Sequence, residues 1–216
     1  GLEDGAVRYS VINGAYQPVS EYIQAYDPDE DLRIQNRQYF HSSITVDGVV
    51  KNFPTTPFIW HDDVALFETA SSGKDIVIFS YWDVLLIAAE AIAQSEGVTS
   101  EAVDYLAQVR GRAYWKQDIN TIKTELSALT PEAFVEEVWK ERLRELVFEF
   151  PLWFDVLRTR KYPVTDSANP GEVSFVDVIG QTNHWGKTYD EKSLLFPLSD
   201  NERQRNPSLG ANNPGY

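Results

Sequence analysis

The chain has 216 residues, and its 19 Lys and Arg against 33 Asp and Glu give a formal net charge of −14 at pH 7. This acidity argues against nucleic acid or an anionic membrane surface as a partner, because the cations that neutralise phosphate are outnumbered. The absence of cysteine excludes disulfides, thiolate zinc sites, iron–sulfur clusters and cysteine nucleophiles. The longest apolar run, Val84 to Ala89, is too short for a transmembrane segment. The hydrophobic fraction of 43% predicts a folded domain.

Residues 1 to 78 combine scattered aromatic residues with turn pairs such as Asp47-Gly48. Helical periodicity never lasts more than two turns there, which predicts loops with short strands, for example Ile76 to Phe79. Residues 79 to 216 are more regular and mostly helical in pattern. We therefore expect a loop-rich aromatic segment and a helical region that pack together as one unit.

The helical region opens with a predicted helix from Tyr81 to Gln94, because Ser80 and Asp83 form a capping-box-like start. This helix is apolar on nearly every face and should lie in the middle of a packed layer. Thr99 or Ser100 can cap a second helix, and the two helices are typical of an αα-hairpin. The apolar face of the second helix consists of Ala102, Leu106, Val109 and Ala113.

A third helix is predicted to begin at Thr130 and Pro131, an N-cap followed by proline at the first helical position, and to run to about Glu149. Pro151 has no amide hydrogen and disfavours helical backbone in the residue before it. The sequence therefore predicts a kink and a separate short helix over residues 152 to 160. The third helix and this short helix should form a second helical pair.

The tail beyond residue 162 is rich in Pro, Asn, Gly and Ser and is predicted to be mostly loop. Ser199 and Glu202 form a capping box that is sufficient for a single turn of helix. The apolar run Leu194 to Phe196 predicts that the tail packs down onto the fold rather than extending freely.

Four ordered segments resemble the C-terminal part of the SusD/RagB family. They are SYWDVLLIAAEA (80–91), EAVDYLAQVRGRA (101–113), FVEEVWKERLRELVFEFPLWFDVLRTRKYP (134–163) and LLFPLSDNERQRNPSLGANNPGY (194–216). A further segment, DEDLRIQNRQYF (29–40), fits the family's habit of placing an Asp-x-Arg upstream of these motifs. The resemblance lies in the order and spacing of the segments as a set.

This resemblance implies a mostly α fold of tetratricopeptide-like helix pairs with extensive loops and short strands. It also implies a nutrient-binding lipoprotein on the surface of the outer membrane, which captures glycans for polysaccharide uptake through a TonB-dependent, SusC-like transporter. Such a protein would be neither an enzyme nor a cofactor binder. Because the match covers the later part of such proteins, we expect the chain to be a fragment that lacks the lipid-anchored N-terminal region.

An alternative from a different class is a helical-repeat adaptor for a protein or peptide partner, because stacked helix pairs create concave binding surfaces. A hydrolase is a third interpretation, and Glu90 would then be the catalytic candidate, since burial in an apolar helix raises a carboxyl pKa. An ion pair between Glu90 and Arg110 or Arg112 is the favoured interpretation, because buried charges are normally paired. Glycoside hydrolysis also requires a second acid, and the sequence offers no convincing one.

The charges of the third helix recur at i, i+3 and i, i+4, the spacing of a salt network on a helix surface. We expect this network to be structural rather than catalytic. Its members are Lys140, Glu141, Arg142, Arg144, Glu145 and Glu149.

Metal binding is not expected. Asp27, Asp29 and Asp31 imitate a calcium loop, but Leu32 and Gln38 stand where that loop needs Gly and Glu. The three histidines are far apart in the sequence and have no partner at i+4, which disfavours a zinc site.

Two tryptophans in loops are the candidate carbohydrate-binding residues. Trp60 in PFIWHDD and Trp185 in TNHWGK each lie beside polar residues, so that the ring can stack on a sugar while its neighbours bond the hydroxyls. The alternative for each is a loop anchor that is buried in the core. Trp82, Trp139 and Trp153 lie within helical patterns and are predicted to be core residues.

Overall fold

A computed structural model describes residues 17–46, 48–149 and 151–216 of the chain. The helices are α1 (Ser20–Ile23), α2 (Tyr81–Glu96), α3 (Ser100–Ala113), α4 (Ile119–Ser127), α5 (Pro131–Glu145), α6 (Pro151–Thr159) and α7 (Asp200–Arg205). The strands are β1 (Phe40–Val46), β2 (Val49–Pro57), β3 (Lys161–Thr165) and β4 (Val173–Asp177). The predicted fold class is confirmed: helix pairs dominate, and the strands are short. Among the described residues, no helix is long and apolar enough to cross a membrane.

The described chain divides into two compact units. The first contains residues 17–149 and 165–173, and the second contains residues 151–164 and 174–216. This division differs from the predicted one at residue 78, because the loop-rich aromatic segment and helices α2 to α5 all belong to the first unit. Helices α5 and α6, which the sequence predicted to be a pair, belong to different units.

Helices α2 and α3 form the predicted αα-hairpin, and α2 also packs against α5. The Ser80 hydroxyl accepts the Asp83 N–H (3.3 Å), and the Thr99 hydroxyl accepts the Ala102 N–H (3.2 Å), so both helices begin at side-chain caps. The core of the first unit lies between these helices and α4 and α5. Its fully buried residues include Leu86, Ala89, Leu106, Ala107, Val109, Phe134 and Val138.

Helix α4 was missed at the sequence level. Asp118 caps it by accepting the Asn120 N–H (2.8 Å), and Ile122 and Leu126 are buried against α3, four residues apart. The helix is short and carries only two buried apolar residues, so its periodicity is too brief to stand out. The last helix of the unit, α5, begins at the predicted cap Thr130 but ends at Glu145, one turn earlier than predicted.

Strands β1 and β2 form an antiparallel hairpin that pairs Phe40 with Pro57 and contains a bulge between His41 and Ser43. Gly48 occupies the turn with a φ of +75°, a left-handed backbone that glycine adopts at little cost. The strand predicted over residues 76–79 is wrong, because the described structure has no strand there and residues 78 and 79 lie in a bend just before α2.

The second unit has a small core of Val156, Val178 and Leu194. Partly buried aromatic residues, Trp153 and Tyr189 among them, pack against it. The separate helix after Pro151 and the turn of helix capped by Ser199 are both confirmed as α6 and α7. Of the tail residues predicted to pack down, Leu194 is buried, whereas Leu195 and Phe196 are exposed.

Candidate functional site

A buried ion network anchors the segment before β1 to the helices. The Arg33 guanidinium donates to Glu141 (2.7 Å) and Glu145 (3.0 Å) of α5, and to both carboxylate oxygens of Asp31. Arg33 and these three acids are all buried. Asp31, one of the acids that imitate a calcium loop, is therefore the local partner of Arg33 in the Asp-x-Arg motif.

Helix α3 supplies the remaining cations of this network. Arg110 donates to Glu141 (3.0 Å) and Glu137 (2.8 Å), and Arg112 donates to Glu145. Glu137, Glu141 and Glu145 are four residues apart, so their side chains lie on one face of α5. The network was predicted to lie on a helix surface, and that prediction is wrong, because this face points into the first unit and its pairs join different elements.

The charge balance of the network decides its protonation. Burial alone would raise the pKa of Glu141, but the positive charges of Arg33 and Arg110 outweigh it and lower that pKa to about 2. Glu141 is therefore ionised at neutral pH and is a poor general acid, which needs a pKa near the working pH. These contacts give the network a scaffold role.

The other predicted ion-pair residues have different partners from those expected. Arg142 pairs with Asp83 of α2 (2.6 Å), whereas Arg144 donates to the carbonyl oxygens of Ala25 (2.7 Å) and Gly171 (2.6 Å). Glu90 is buried and accepts a hydrogen bond from Gln94 (3.2 Å), one turn further along the same helix. Arg110 and Arg112 form the ion pairs with α5 that are described above.

Trp60 lies just beyond β2, and half of its side chain is exposed (50%). Its indole contacts the Phe148 ring, with centroids 5.1 Å apart, and Phe148 in turn packs edge-on against the buried Phe40 (5.8 Å). The indole thus packs through Phe148 onto the core, while half of its surface is exposed to solvent. The alternative interpretation of Trp60 as a buried loop anchor is wrong.

We call residues 58–75 the Trp60 loop, and internal polar contacts brace it. The His61 and Phe58 rings stack (4.5 Å), and His61 Nε2 lies 2.7 Å from an Asp63 carboxylate oxygen. Asp62 accepts a hydrogen bond from the Ser72 hydroxyl (2.5 Å), which lowers the Asp62 pKa. Lys74 donates to the His61 carbonyl oxygen. The loop therefore contains hydrogen-bonded polar groups close in sequence to a half-exposed indole.

Backbone strain is concentrated around this loop. Arg37, Ala70 and Phe148 have positive φ values of 62–65°, a conformation that is uncommon outside glycine, and Arg160 of the second unit shares it. Ala70 ends a π-helical turn within the loop, Phe148 supports Trp60, and the Arg37 guanidinium lies over the Phe58 ring (5.3 Å). Such strain costs about 1–3 kcal/mol per residue and clusters at functional sites. The loop is the candidate site of the first unit.

The ion network also holds the base of the Trp60 loop. The Tyr39 hydroxyl donates to Glu145 (3.0 Å) and accepts from Arg112 (2.9 Å), while the Tyr39 carbonyl oxygen accepts the Phe58 N–H (2.7 Å). Burial and the charge of Glu145 raise the pKa of Tyr39 to about 12. One residue therefore links the buried charges to the first residue of the loop.

Trp185 belongs to the second unit and lies at the tip of a tight loop, where its side chain is 82% exposed. The Asn183 side-chain oxygen accepts the N–H groups of Trp185 (3.1 Å) and Lys187 (3.0 Å), so the loop is ordered by its own hydrogen bonds. The alternative of a buried anchor is wrong for Trp185 as well. Trp60 lies in the first unit, so the two candidate tryptophans belong to different compact units.

The remaining predicted site features have structural roles. Trp82 and Trp139 pack against the core of the first unit and Trp153 against that of the second, which confirms their prediction as core residues. The Asp27 side chain accepts the Asp29 N–H (2.8 Å) in a local turn. Across residues 17–46, 48–149 and 151–216, no group of three or more metal-binding side chains could hold an ion.

Two residues that organise the candidate site, Phe148 and Arg33, are absent from the site residues predicted from the sequence. Phe148 supports Trp60 from far along the chain, and nothing in its surroundings distinguishes it from the other aromatic residues of α5 and α6. Arg33 could have been found, because the Asp-x-Arg pattern places a cation beside an acid, but its partners on α5 could not. Both assignments depend on contacts between distant segments.

Comparison with known proteins gives a consistent result. The sequence pattern of the SusD family matches residues 12–216. SusD-like protein P2 of Formosa agariphila is 32% identical over 146 residues, which are 67% of this chain and 26% of that protein. SusD-like protein P38 of the same organism is 30% identical over 141 residues, or 65% of this chain and 24% of that protein.

Solved structures agree with these sequence matches. The crystal structure of a SusD superfamily protein from Parabacteroides distasonis superposes with a TM-score of 0.77 at 32% identity. The match covers 98% of this chain and 44% of that protein. The chain thus spans about a quarter of the length of the curated relatives and less than half of the solved one.

Proposed function

The chain belongs to the SusD family, and on that premise we propose that it serves in a non-catalytic glycan-binding protein and contributes the Trp60 loop to its binding surface. The proposal includes the setting that family membership suggests: a lipid-anchored protein on the outer-membrane surface that passes its ligand to a TonB-dependent, SusC-like transporter. The observation that supports glycan binding is the half-exposed Trp60 indole, which packs against Phe148.

Sugar recognition needs an apolar face and nearby hydrogen-bonding groups, because a pyranose ring has both apolar faces and equatorial hydroxyls. The Trp60 indole supplies the first requirement. His61, Asp63 and Asp62 supply the second, and the contacts of His61 with Asp63 and of Asp62 with Ser72 limit the side-chain entropy that binding would cost.

Charge favours a neutral glycan over a sulfated or uronic one. The loop carries Asp62, Asp63, Glu68 and Asp75 against Lys74, and the whole chain has a net charge of −14. A polyanionic ligand would meet like charge both locally and at long range. We therefore expect neutral polysaccharides or oligosaccharides to bind best.

Catalysis is not part of the proposal. Glu141 has a pKa of about 2, and the Asp62 pKa is also lowered, so neither carboxyl is suited to donate a proton near neutral pH. Glu90 is buried beneath the surface of α2. An assay for released reducing ends should detect no turnover, and turnover that Glu90→Gln abolishes would contradict the proposal.

Replacement of Trp60 by alanine tests the binding site directly. We expect the affinity for the best ligand in a panel of soluble neutral glycans to fall at least tenfold, a loss of about 1.4 kcal/mol. Calorimetry and affinity electrophoresis on the protein made from its own gene would measure it. The matched control is Trp115→Ala, another exposed tryptophan of the first unit, which should leave the affinity unchanged.

Two results would overturn the proposal. In the first, both variants bind as well as the parent, so that glycan binding does not involve Trp60. In the second, no glycan of the panel binds the parent while a protein partner does, which would favour the helical-repeat adaptor.

A further inference from the structure

His61 follows Trp60 in the loop, and its imidazole is held in one orientation. The ring stacks on the Phe58 ring, with centroids 4.5 Å apart and planes 15° apart. The His61 N–H donates to the Phe58 carbonyl oxygen (2.8 Å), and the His61 carbonyl oxygen accepts from Lys74. The ring and the backbone are both held, so a ligand that uses this imidazole causes little further loss of side-chain entropy.

Asp63 decides which ring nitrogen of His61 carries a hydrogen. His61 Nε2 lies 2.7 Å from a carboxylate oxygen of Asp63, and a carboxylate only accepts hydrogen bonds. Nε2 therefore carries a hydrogen in both the neutral and the charged form of the ring. The change of charge takes place at Nδ1, which accepts a hydrogen bond when His61 is neutral and donates one when His61 is protonated.

Nδ1 is the nitrogen that remains for a ligand. In the part of the chain that the structure describes, no hydrogen bond of His61 involves Nδ1, and the side chain is 21% exposed. Charged or titratable groups contact other atoms of His61, or they contact its neighbours in the loop. They are Asp63 at Nε2, Lys74 at the carbonyl oxygen, Asp62 on Ser72, and Arg37 and His41 on the Phe58 ring.

The chemistry of Nδ1 separates the polar groups of glycans into two kinds. Sugar hydroxyls donate and accept, so they fit Nδ1 in either state. An acetamido group also fits both states, because its N–H can donate to the neutral ring and its carbonyl oxygen can accept from the charged one. An ester carbonyl oxygen only accepts, so it needs the hydrogen that Nδ1 gains in acid.

Among ligand groups that only accept, the charge of the loop disfavours carboxylates. Four acids lie in the loop against one lysine, and a uronic carboxylate would meet like charge there. An O-acetyl ester is neutral and carries the same kind of acceptor. Its methyl group is apolar and suits an indole, and the half-exposed indole of Trp60 is the neighbouring side chain in the sequence.

We propose that His61 is the specificity-determining residue of the Trp60 loop, and that its protonated Nδ1 donates to the carbonyl oxygen of an O-acetylated neutral glycan. This inference rests on the proposed glycan-binding function. The loop selects acetylated chains in mildly acidic surroundings, where histidine is charged, and loses this preference as the ring becomes neutral.

The preference is measured with the best-binding neutral oligosaccharide of the panel, before and after partial acetylation with acetic anhydride. Calorimetry on the gene's own product at about pH 5.5 and about pH 8 covers the range in which histidine changes charge. We expect the acetylated probe to bind about tenfold more tightly at the lower pH, the effect of one hydrogen bond from a charged donor. The unmodified probe should change little, because its hydroxyls fit both states.

His61→Gln cannot titrate, so the ratio of the two affinities for the acetylated probe should fall to that of the unmodified probe. The ratio is the readout, because a structural loss of affinity lowers both values alike. The matched control, His184→Gln, removes an exposed histidine of the second unit and should keep the ratio. A ratio that survives His61→Gln, or one that His184→Gln abolishes, would overturn the inference.

The parent protein separates this inference from the proposed function. Binding of both probes with the same dependence on pH would overturn the role of His61 and leave glycan binding intact. Failure of both probes to bind at either pH would contradict the proposed function and this inference together.

A spectroscopic test does not depend on a glycan. Histidine labelled with nitrogen-15 reports by NMR which ring nitrogen carries a hydrogen, and the His61 signal is identified by its loss in His61→Gln. We expect a hydrogen on Nε2 alone at about pH 8 and on both nitrogens at about pH 5.5. A hydrogen on Nδ1 alone at the higher pH would overturn the inference, since neutral His61 could then bind the ester.

Discussion

The buried ion network and the Trp60 loop both contain paired charged side chains within one compact unit. The pairs of the network are buried, whereas those of the loop are exposed. In the network, Arg33, Glu141 and Glu145 are buried and each charge has partners on other elements, so that ionic groups connect the framework. In the loop, carboxylates and rings contact one another locally, and the central indole stays half exposed. The charged residues of the network connect distant elements, whereas the polar contacts of the loop join residues that are close in sequence.

The two regions are nevertheless joined. Tyr39 donates its hydroxyl hydrogen to Glu145 of the network and accepts the Phe58 N–H at the start of the loop. Damage to the network should therefore reach the loop through loss of the framework, whereas damage to the loop should leave the framework intact. The following predictions test this asymmetry.

The largest effect is expected from Arg33→Ala. The change leaves Glu141 and Glu145 buried with one fewer cation, and loss of one partner of a buried pair costs about 3–5 kcal/mol of unfolding free energy. Chemical denaturation would measure the loss. The control is Lys123→Ala, which breaks the exposed pair with Asp104 and should cost less than about 1 kcal/mol. Equal losses would show that burial of the network adds nothing.

The acid dependence of stability gives the next largest effect. The Glu141 pKa is about 2 in the folded protein against an ordinary 4.5, so the stabilisation is complete above pH 4.5 and is lost as pH falls toward 2. The difference corresponds to about 3 kcal/mol. Denaturation curves between pH 2 and 6 should show a shallower dependence for Glu141→Gln than for the parent. An unchanged slope would assign the acid sensitivity to other carboxyls.

Phe148→Ala tests whether the support of Trp60 matters for binding. Removal of the ring beneath the indole takes away an aromatic contact worth about 0.5–1.5 kcal/mol, so glycan affinity should fall several-fold. Stability should fall too, because Phe148 also contacts the buried Phe40. Calorimetric titration under conditions where the variant is fully folded separates the two effects. Unchanged affinity would mean that Trp60 does not need this support.

The smallest effect on stability is expected for Trp185→Ala. Its indole is 82% exposed and its loop is ordered by Asn183, so the unfolding free energy should change by less than about 0.5 kcal/mol. Thermal denaturation checks this, and a glycan titration then shows whether the second unit contributes to binding. A large destabilisation would mean that Trp185 anchors its loop.

Local signals in the sequence were reliable. The caps Ser80, Thr99 and Thr130 were identified correctly, because a capping hydroxyl bonds a backbone N–H only two or three residues away. The break at Pro151 depends likewise on a single residue and its neighbour. Helix α4 was missed because its two buried apolar residues, Ile122 and Leu126, span barely one turn.

The candidate site was predicted in part. Trp60 and Trp185 could be selected as loop tryptophans among polar residues, but the sequence could not decide between a buried anchor and an exposed ring. That choice depends on what lies beneath the ring. For Trp60 it is Phe148, at a strained position after α5.

The sequence by itself determined the family, the helical class, the capped ends of the main helices and the exclusion of thiol chemistry, because each of these follows from residue types at short spacings. Only the tertiary structure decided that the charges of α5 are buried, that Arg33 pairs with Glu141, and that Tyr81, Val84 and Ile87 of α2 are exposed. The physical reason is that charge pairing and burial depend on which distant segments meet. The i, i+4 spacing of acids on α5 predicts that they share a face, and the packing of α5 decides which way that face points.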